Sequence, residues 1–168
     1  VYNTSGSIEI SGWDRGEIEV TGTVGDDIEE FVFERSGKVT TIKVNVPKRI
    51  SGHRDVSSNL VIRVPQASSL DVGTVSADID VEGVRGEQEL QAVSGDSTKK
   101  LFDSDLCANT VSGDIDVVAE GEGEARLETV SGDITARGLS GEVNAEAVSG
   151  DIDVRGGAFD EVRAETVN

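Results

Sequence analysis

One heptapeptide constrains the fold of this chain more than any other feature. Val111 to Val117 reads VSGDIDV, Val148 to Val154 repeats it letter for letter, and Val130 to Ala136 reads VSGDITA. Aligned on the opening valine, the copies start at Val75, Val93, Val111, Val130, Val148 and Val167, spaced 18, 18, 19, 18 and 19 residues apart. A fixed period of this size marks a stacked repeat, in which no unit buries its apolar face alone and neighbours must cover it. A weaker half-period of nine lies within it, at Ser131-Gly132, Ser140-Gly141 and Ser149-Gly150. The N-terminal stretches SGSIEISGW and DRGEIEVTG show the same halves. Each half reads as a short alternating strand closed by a glycine-marked turn.

Side chains alternate between faces along a strand, so in VSGDIDV the residues Val111, Ile115 and Val117 are predicted inward and Asp116 outward. Across units the expected interior columns are Val111, Val130 and Val148; Ile115, Ile134 and Ile152; and Leu127, Ala145 and Ala164. Thr110, Thr129 and Thr166 also fall inward, which disfavours the flat outward threonine rows of an ice-binding solenoid. The prediction is an all-β fold, a β-solenoid with 18–19-residue coils over 75–168. At about 4.8 Å per coil, five coils make a rod about 24 Å long. Over 1–74 the register loosens, and FVFERSGKVTTIKVNVP and LVIRVP predict wider irregular coils or longer strands. A surface loop is expected around Gly52 to Ser58, and Pro47 and Pro65 suit strand ends, where no ladder donor is needed. Tyr2, Trp13, Phe31 and Phe33 are placed as residues that thicken or cap this end. The whole of 1–168 reads as one domain.

Composition narrows the function classes. Only 4% of residues are aromatic and there is no Met, so the interior must be tight and built from Val, Ile and Ala. Asp plus Glu number 33 against 15 Lys plus Arg, a net charge of −18. That field repels nucleic acid and anionic lipid surfaces and attracts cations or basic partners. The single cysteine, Cys107, excludes an intrachain disulfide framework and a Cys-rich metal site. It aligns with Arg126, Asn144 and Arg163 on the outward face and reads as a partly covered, passive thiol. No apolar run is long enough for a membrane-spanning helix, so no membrane insertion is expected. The chain opens without a basic and apolar leader, and a targeting segment is expected to have been removed.

The recurring TVSGDI-x-V, the preceding LVIRVP and SSLDVGTVS, and the opening GSIEISGWDRGEIEV resemble the bacterial β-strand-repeat proteins labelled adhesins, a domain of unknown function. The resemblance covers essentially the whole chain. It implies an extracytoplasmic, envelope-associated bacterial protein and brings no catalytic residues with it.

The residues that could carry chemistry are mostly acidic. The Asp closing each corner recurs at 78, 96, 114, 133 and 151, and Asp80, Asp116 and Asp153 form a second outward row. Stacked carboxylates at Asp114, Asp133, Asp151, Asp116 and Asp153 are a candidate Ca²⁺ ladder, since hard cations take six to eight oxygens. The preferred reading is structural, with each Asp accepting hydrogen bonds from turn amides. No other cofactor is expected. The coil VSGDSTKKLFDSDLCANT departs from its neighbours, with Ser97 in place of Ile and Lys99 in place of Val. A bulge turning Lys99 and Lys100 to solvent is expected there, with Leu101 and Phe102 refilling the space. Ser97, Lys99, Lys100 and Phe102 are the candidate binding notch. His53, in SGHRDVS, reads as a solvated loop residue. Repeated carboxylates follow from repetition alone, so no enzyme is expected. The chain reads as a structural or adhesive envelope module, with an envelope-stress sensing ectodomain as the alternative and a Ca²⁺-dependent or carbohydrate-active protein behind it. Its partner is a protein or cell-surface molecule, and the strand edge from Val162 to Asn168 is expected to be covered, either by further chain or by self-association through strand addition.

Overall fold

Val, Ile and Thr at alternate positions give each run an apolar face that only a neighbouring run can cover, and the runs form strands. The computed structural model describes residues 1–47, 55–102 and 104–167. It is 73% strand, with no helix among the described residues. In chain order the strands are β1 (Tyr2–Trp13), β2 (Glu19–Val24), β3 (Glu30–Ser36), β4 (Val39–Asn45), β5 (Ser58–Pro65), β6 (Leu70–Glu82) and β7 (Gln88–Ser94). There follow β8 (Ser97–Phe102), β9 (Leu106–Ser112), β10 (Ile115–Glu122), β11 (Ala125–Ser131), β12 (Ile134–Ser149), β13 (Ile152–Arg155) and β14 (Phe159–Thr166).

Two parallel stacks build the C-terminal half. One runs from the end of β6 through β8, β10 and the start of β12 to β13. The other runs from the start of β6 through β7, β9, β11 and the end of β12 to β14. Together they wind a β-solenoid of about 5 turns, about 19 residues apart, between residues 70 and 166. In the N-terminal half the longer strands are present. β1 pairs in parallel with β5 and β6, β2 lies antiparallel to β5, and β3 with β4 forms an antiparallel hairpin. Of the expected surface loop, Gly52, His53 and Arg54 lie outside the described residues, and Asp55 to Ser57 are irregular as expected. Ser58 belongs instead to β5, fully buried, and its hydroxyl donates to Asn3 Oδ1 at 2.6 Å. Phe31 and Phe33 stand 39% and 51% exposed on β3, and Phe31 lines a shallow depression with Val20 and the core residue Leu60.

In-register pairing turns the sequence period into columns. Ile8, Ile79, Ser97, Ile115, Ile134 and Ile152 form one. Val72, Leu90, Ala108, Leu127, Ala145 and Ala164 form another, in which large and small residues alternate from Leu90 to Ala145. The buried apolar residues make one continuous cluster along the rod.

The valine that opens each repeat faces the other way, which overturns the expected Val111, Val130 and Val148 interior column. Val75, Val93, Val111, Val130 and Val148 are 45–50% exposed, and Val167 is 69% exposed. Alternation does not pass through the corner. Thr110 is inward and Ile115 is inward, an odd step of five residues, so the parity resets at Ser112-Gly113-Asp114 and strands Val111 outside. Thr110 and Thr129 are buried as expected. Ala164 and Thr166 keep the inward register but are exposed, because no further coil covers them among the described residues.

The corners explain the recurring glycine. A Cβ on Gly113 would stand 2.2 Å from the carbonyl oxygen of Gly95 in the coil before it, one on Gly132 would stand 2.1 Å from Gly113 O, and one on Gly150 1.9 Å from Gly132 O. The backbone ladder continues across this point, with Gly113 N donating to Ser131 O at 3.2 Å and Ile115 N to Asp133 O at 2.9 Å. Glycine is therefore required by the coil stacked against it at all three corners, and at Gly113 and Gly150 also by a positive φ of 156° and 155°. Gly113→Ala is expected to cost about 1–3 kcal/mol by overpacking, read as a lower urea midpoint. Gly16→Ala, where an added Cβ meets nothing within 4 Å, is expected to leave that midpoint unchanged.

Candidate functional site

Each corner ends in an aspartate, and stacking turns these into a chain of fastenings between coils. Asp78 Oδ1 accepts from the Asp96 amide at 3.1 Å, and Asp96 Oδ1 accepts from the Asp114 amide at 3.1 Å. Asp114 Oδ1 in turn takes the Asp133 amide, and Asp133 Oδ1 the Asp151 amide, both at 2.8 Å. The bonds tie one coil to the next, whereas an Asx turn would close on its own strand. Ionised acceptors make them stronger than neutral hydrogen bonds. On the opposite side of the rod Asp105 Oδ1 accepts from the Glu124 amide at 3.0 Å, the same device at another corner.

The second acidic row is built differently. Its register reads Asp80, Thr98, Asp116, Thr135, Asp153, so threonines hold its carboxylates two coils apart. Arginines answer two of them: Arg155 Nε lies 2.6 Å from Asp153 Oδ1, and Arg137 Nη1 lies 4.0 Å from Asp116 Oδ1. Asp80 has Glu9 beside it, and partial burial together with the Glu9 and Glu82 carboxylates holds its carboxyl above the usual range. Among the described residues no three His, Cys, Asp or Glu side chains are grouped so as to hold a metal ion.

The coil that breaks the repeat does not bulge, which corrects the expected outward turn of its lysines. β8 keeps unbroken register with β6 on one side and β10 on the other. Ser97 and Lys99 occupy the interior columns, 4% and 1% exposed, while Lys100 points out and pairs with Glu82 at 3.4 Å. Of the candidate notch, Ser97 and Lys99 thus face inward and Lys100 outward, while the side chains of Leu101 and Phe102 lie outside what the structure describes. Lys99 stands in the column of Ile10, Val81, Val117, Ala136 and Val154. Its aliphatic stem suits that company. Its amine donates to Gln88 Oε1 at 2.9 Å, and Gln88 Nε2 donates to Val84 O at 3.0 Å.

Gln88 escaped the sequence reading, although the repeat carries the signal: it stands where Leu70, Leu106, Ala125 and Val143 stand in other coils. The two polar intrusions lie 11 residues apart and meet across the lumen. No carboxylate pairs with Lys99 among the described residues, and burial alone pushes its amine down to about 7. The corresponding cost of keeping it charged is roughly 5 kcal/mol.

Cys107 is a free, partly covered thiol on the outward face, paired in register with Arg126 as expected, and the Asn109 amide donates to its sulfur at 3.5 Å. Beside it runs a shallow groove along the rod. Two depressions of about 410 and 240 Å³ meet at Asn109 and Thr110. The exposed valines form one wall, and Gln91, Asn109, Glu128, Glu146 and Glu165 the other. A larger cavity, about 660 Å³, lies in the N-terminal half against Ile10, Ile42, Ile62 and Leu70, with the first residue, Val1, in its lining.

The family model Toastrack DUF4097 matches residues 1–166. The chain belongs to this family of β-solenoid domains of unknown function. No curated protein and no solved structure matches it. In this Toastrack domain the corner aspartates fasten coils and the broken repeat builds an internal polar pair.

Two stability measurements follow from this geometry. Between pH about 7 and 10.4 the unfolded chain binds the Lys99 proton that the folded chain has released, so stability rises with pH through that window, and the full penalty stands below it. Urea unfolding across this range is expected to show that rise, and the Gln88→Leu/Lys99→Met double variant is expected to lose the Lys99 part of it. The double variant is also expected to be more stable at pH 7 by about 1–4 kcal/mol. At the corner, Asp114→Ala is expected to cost about 1–3 kcal/mol, and Asp114→Asn, which keeps an acceptor for the Asp133 amide, measurably less.

Proposed function

We propose that this domain is a non-catalytic module of the bacterial cell envelope, extracytoplasmic, that works by holding another macromolecule against its outer face. The observation that carries this reading is the valine repeated at one exposed position in six successive coils. Core packing does not require valine there, and contiguous apolar surface on a charged molecule is the usual sign of a contact site. The carboxylates fit the same picture: those of the corner ladder accept backbone amides, and Asp116 and Asp153 face arginines. An adhesive partner and an envelope-stress signalling partner are two forms of this reading.

A photo-cross-linking residue placed in cells at Val111, with Glu120 as an exposed control position, tests it. Adducts in the envelope fraction at Val111 and none at Glu120 are expected. Adducts confined to cytosolic proteins, the same adducts at both positions, or none at either would sink the proposal. A membrane-embedded signalling protein in the adduct favours the sensing form, and an external surface polymer the adhesive form.

A further inference from the structure

The valine row has a definite spacing, and its neighbours have a definite charge. Thr74, Ala92, Thr110, Thr129, Ala147 and Thr166 pair in register from coil to coil, so the valine that follows each of them is in register too. Consecutive valines are about 4.8 Å apart, and five intervals make a stripe about 24 Å long. The spacing selects what can lie along it. An α-helix running parallel to the rod brings one apolar side chain round every turn, about 5.4 Å. Over five intervals that drifts from the valines by only about 3 Å, less than one turn. An extended strand places side chains of one face about 6.6–6.8 Å apart and loses a whole coil within about three steps.

Acid borders the stripe on both sides. On the groove side stand Glu128, Glu146 and Glu165, two positions before Val130, Val148 and Val167 on the same outward face. Beyond the corner serines stand Asp96, Asp114, Asp133 and Asp151, all exposed, each valine's Asp three positions on. Arg126 and Arg163 pair with Glu128 and Glu165 at 2.6 and 2.7 Å, and Glu146, which accepts from the Asn144 amide at 3.3 Å, lies between them within electrostatic reach of both arginines. Toward the other end the groove wall is neutral, Gln91 and Asn109, and Tyr2 closes it. A second copy of this chain would bring acid rows against acid rows at a net charge of −18 each.

We infer that the valine stripe and its groove take a basic amphipathic α-helix of another protein, about five turns long, lying along the rod with its basic residues over the acidic rows. This names the partner class for the binding reading above and rests on it. The apolar residues of the helix sit against Val93, Val111, Val130 and Val148. Its lysines or arginines concentrate at the end that lies over Glu128, Glu146 and Glu165. This is the helix-in-groove mode of recognition, with acidic flanks setting partner choice and orientation.

Purified protein and a lactam-bridged helical peptide of about 18 residues, with a leucine stripe and lysine flanks, provide the test. Fluorescence anisotropy at about 150 mM salt reads the affinity. The same composition in scrambled order is expected to bind at least about tenfold more weakly, and so is a peptide with glutamate flanks. Val111→Asn/Val130→Asn and the milder Val111→Thr/Val130→Thr should each weaken binding by about tenfold, with the thermal midpoint unchanged. Glu128→Gln/Glu146→Gln/Glu165→Gln should weaken binding and flatten its salt dependence. No binding of the amphipathic lysine peptide, equal binding of the scrambled peptide, or valine variants that bind as tightly as the parent would each overturn the inference. A concentration-dependent dimer abolished by the valine variants would also overturn it, by assigning the stripe to a second copy. If cross-links at Val111 form in the envelope while the peptide fails, the binding module stands and only the helical partner falls.

Discussion

The structure depends on how closely one coil corner sits on the next. With strands about 4.8 Å apart, each corner carbonyl lies where the Cβ of the next corner would be. Gly113, Gly132 and Gly150 each meet the glycine carbonyl before them at about 2 Å from a would-be Cβ, so the corners stack only while that position stays bare. Once they stack, the backbone ladder runs unbroken through the turn, and Asp114, Asp133 and Asp151 are brought directly over one another. Interior columns, outward rows and the amide-to-carboxylate fastenings all follow from that single contact.

The same ladder accounts for the polar residues inside the rod. Ser97, Lys99 and Gln88 share one coil whose strands are hydrogen-bonded on both sides, by β6 and β10 and by β6 and β9. Main-chain bonds do not depend on side-chain chemistry, so the coil holds its register although three inward positions are polar. The price appears as a displaced protonation equilibrium on Lys99, whose only acceptor among the described residues is the Gln88 carbonyl.

Outside, repetition draws lines of one chemistry along the rod axis. Asp78, Asp96, Asp114 and Asp133 tolerate like-charged neighbours because each accepts an amide from the next coil. The second row dilutes its charge with Thr98 and Thr135 and faces arginines. Between the corner row and the glutamates lies the valine line, apolar and half exposed. Parallel lines of alternating character favour a linear partner with its own axial period over a compact ligand.

Counting along the chain by itself determined the coil length, the glycine corners, the isoleucine and leucine-alanine columns and the outward position of Cys107, because each is a property of a period and survives any detail of folding. The direction of the opening valine was not legible. Side-chain parity holds within a strand but resets where Ser112-Gly113-Asp114 turns the chain, and only the folded corner shows by how much. Lys99 misled for a related reason. Read along its own strand it was a charge at an apolar position and had to turn out, whereas the fold sets Gln88 across the lumen as its acceptor and surrounds its stem with valines. Periods are written in one dimension. What a side chain faces is decided in three, by partners that stacking brings from other parts of the chain.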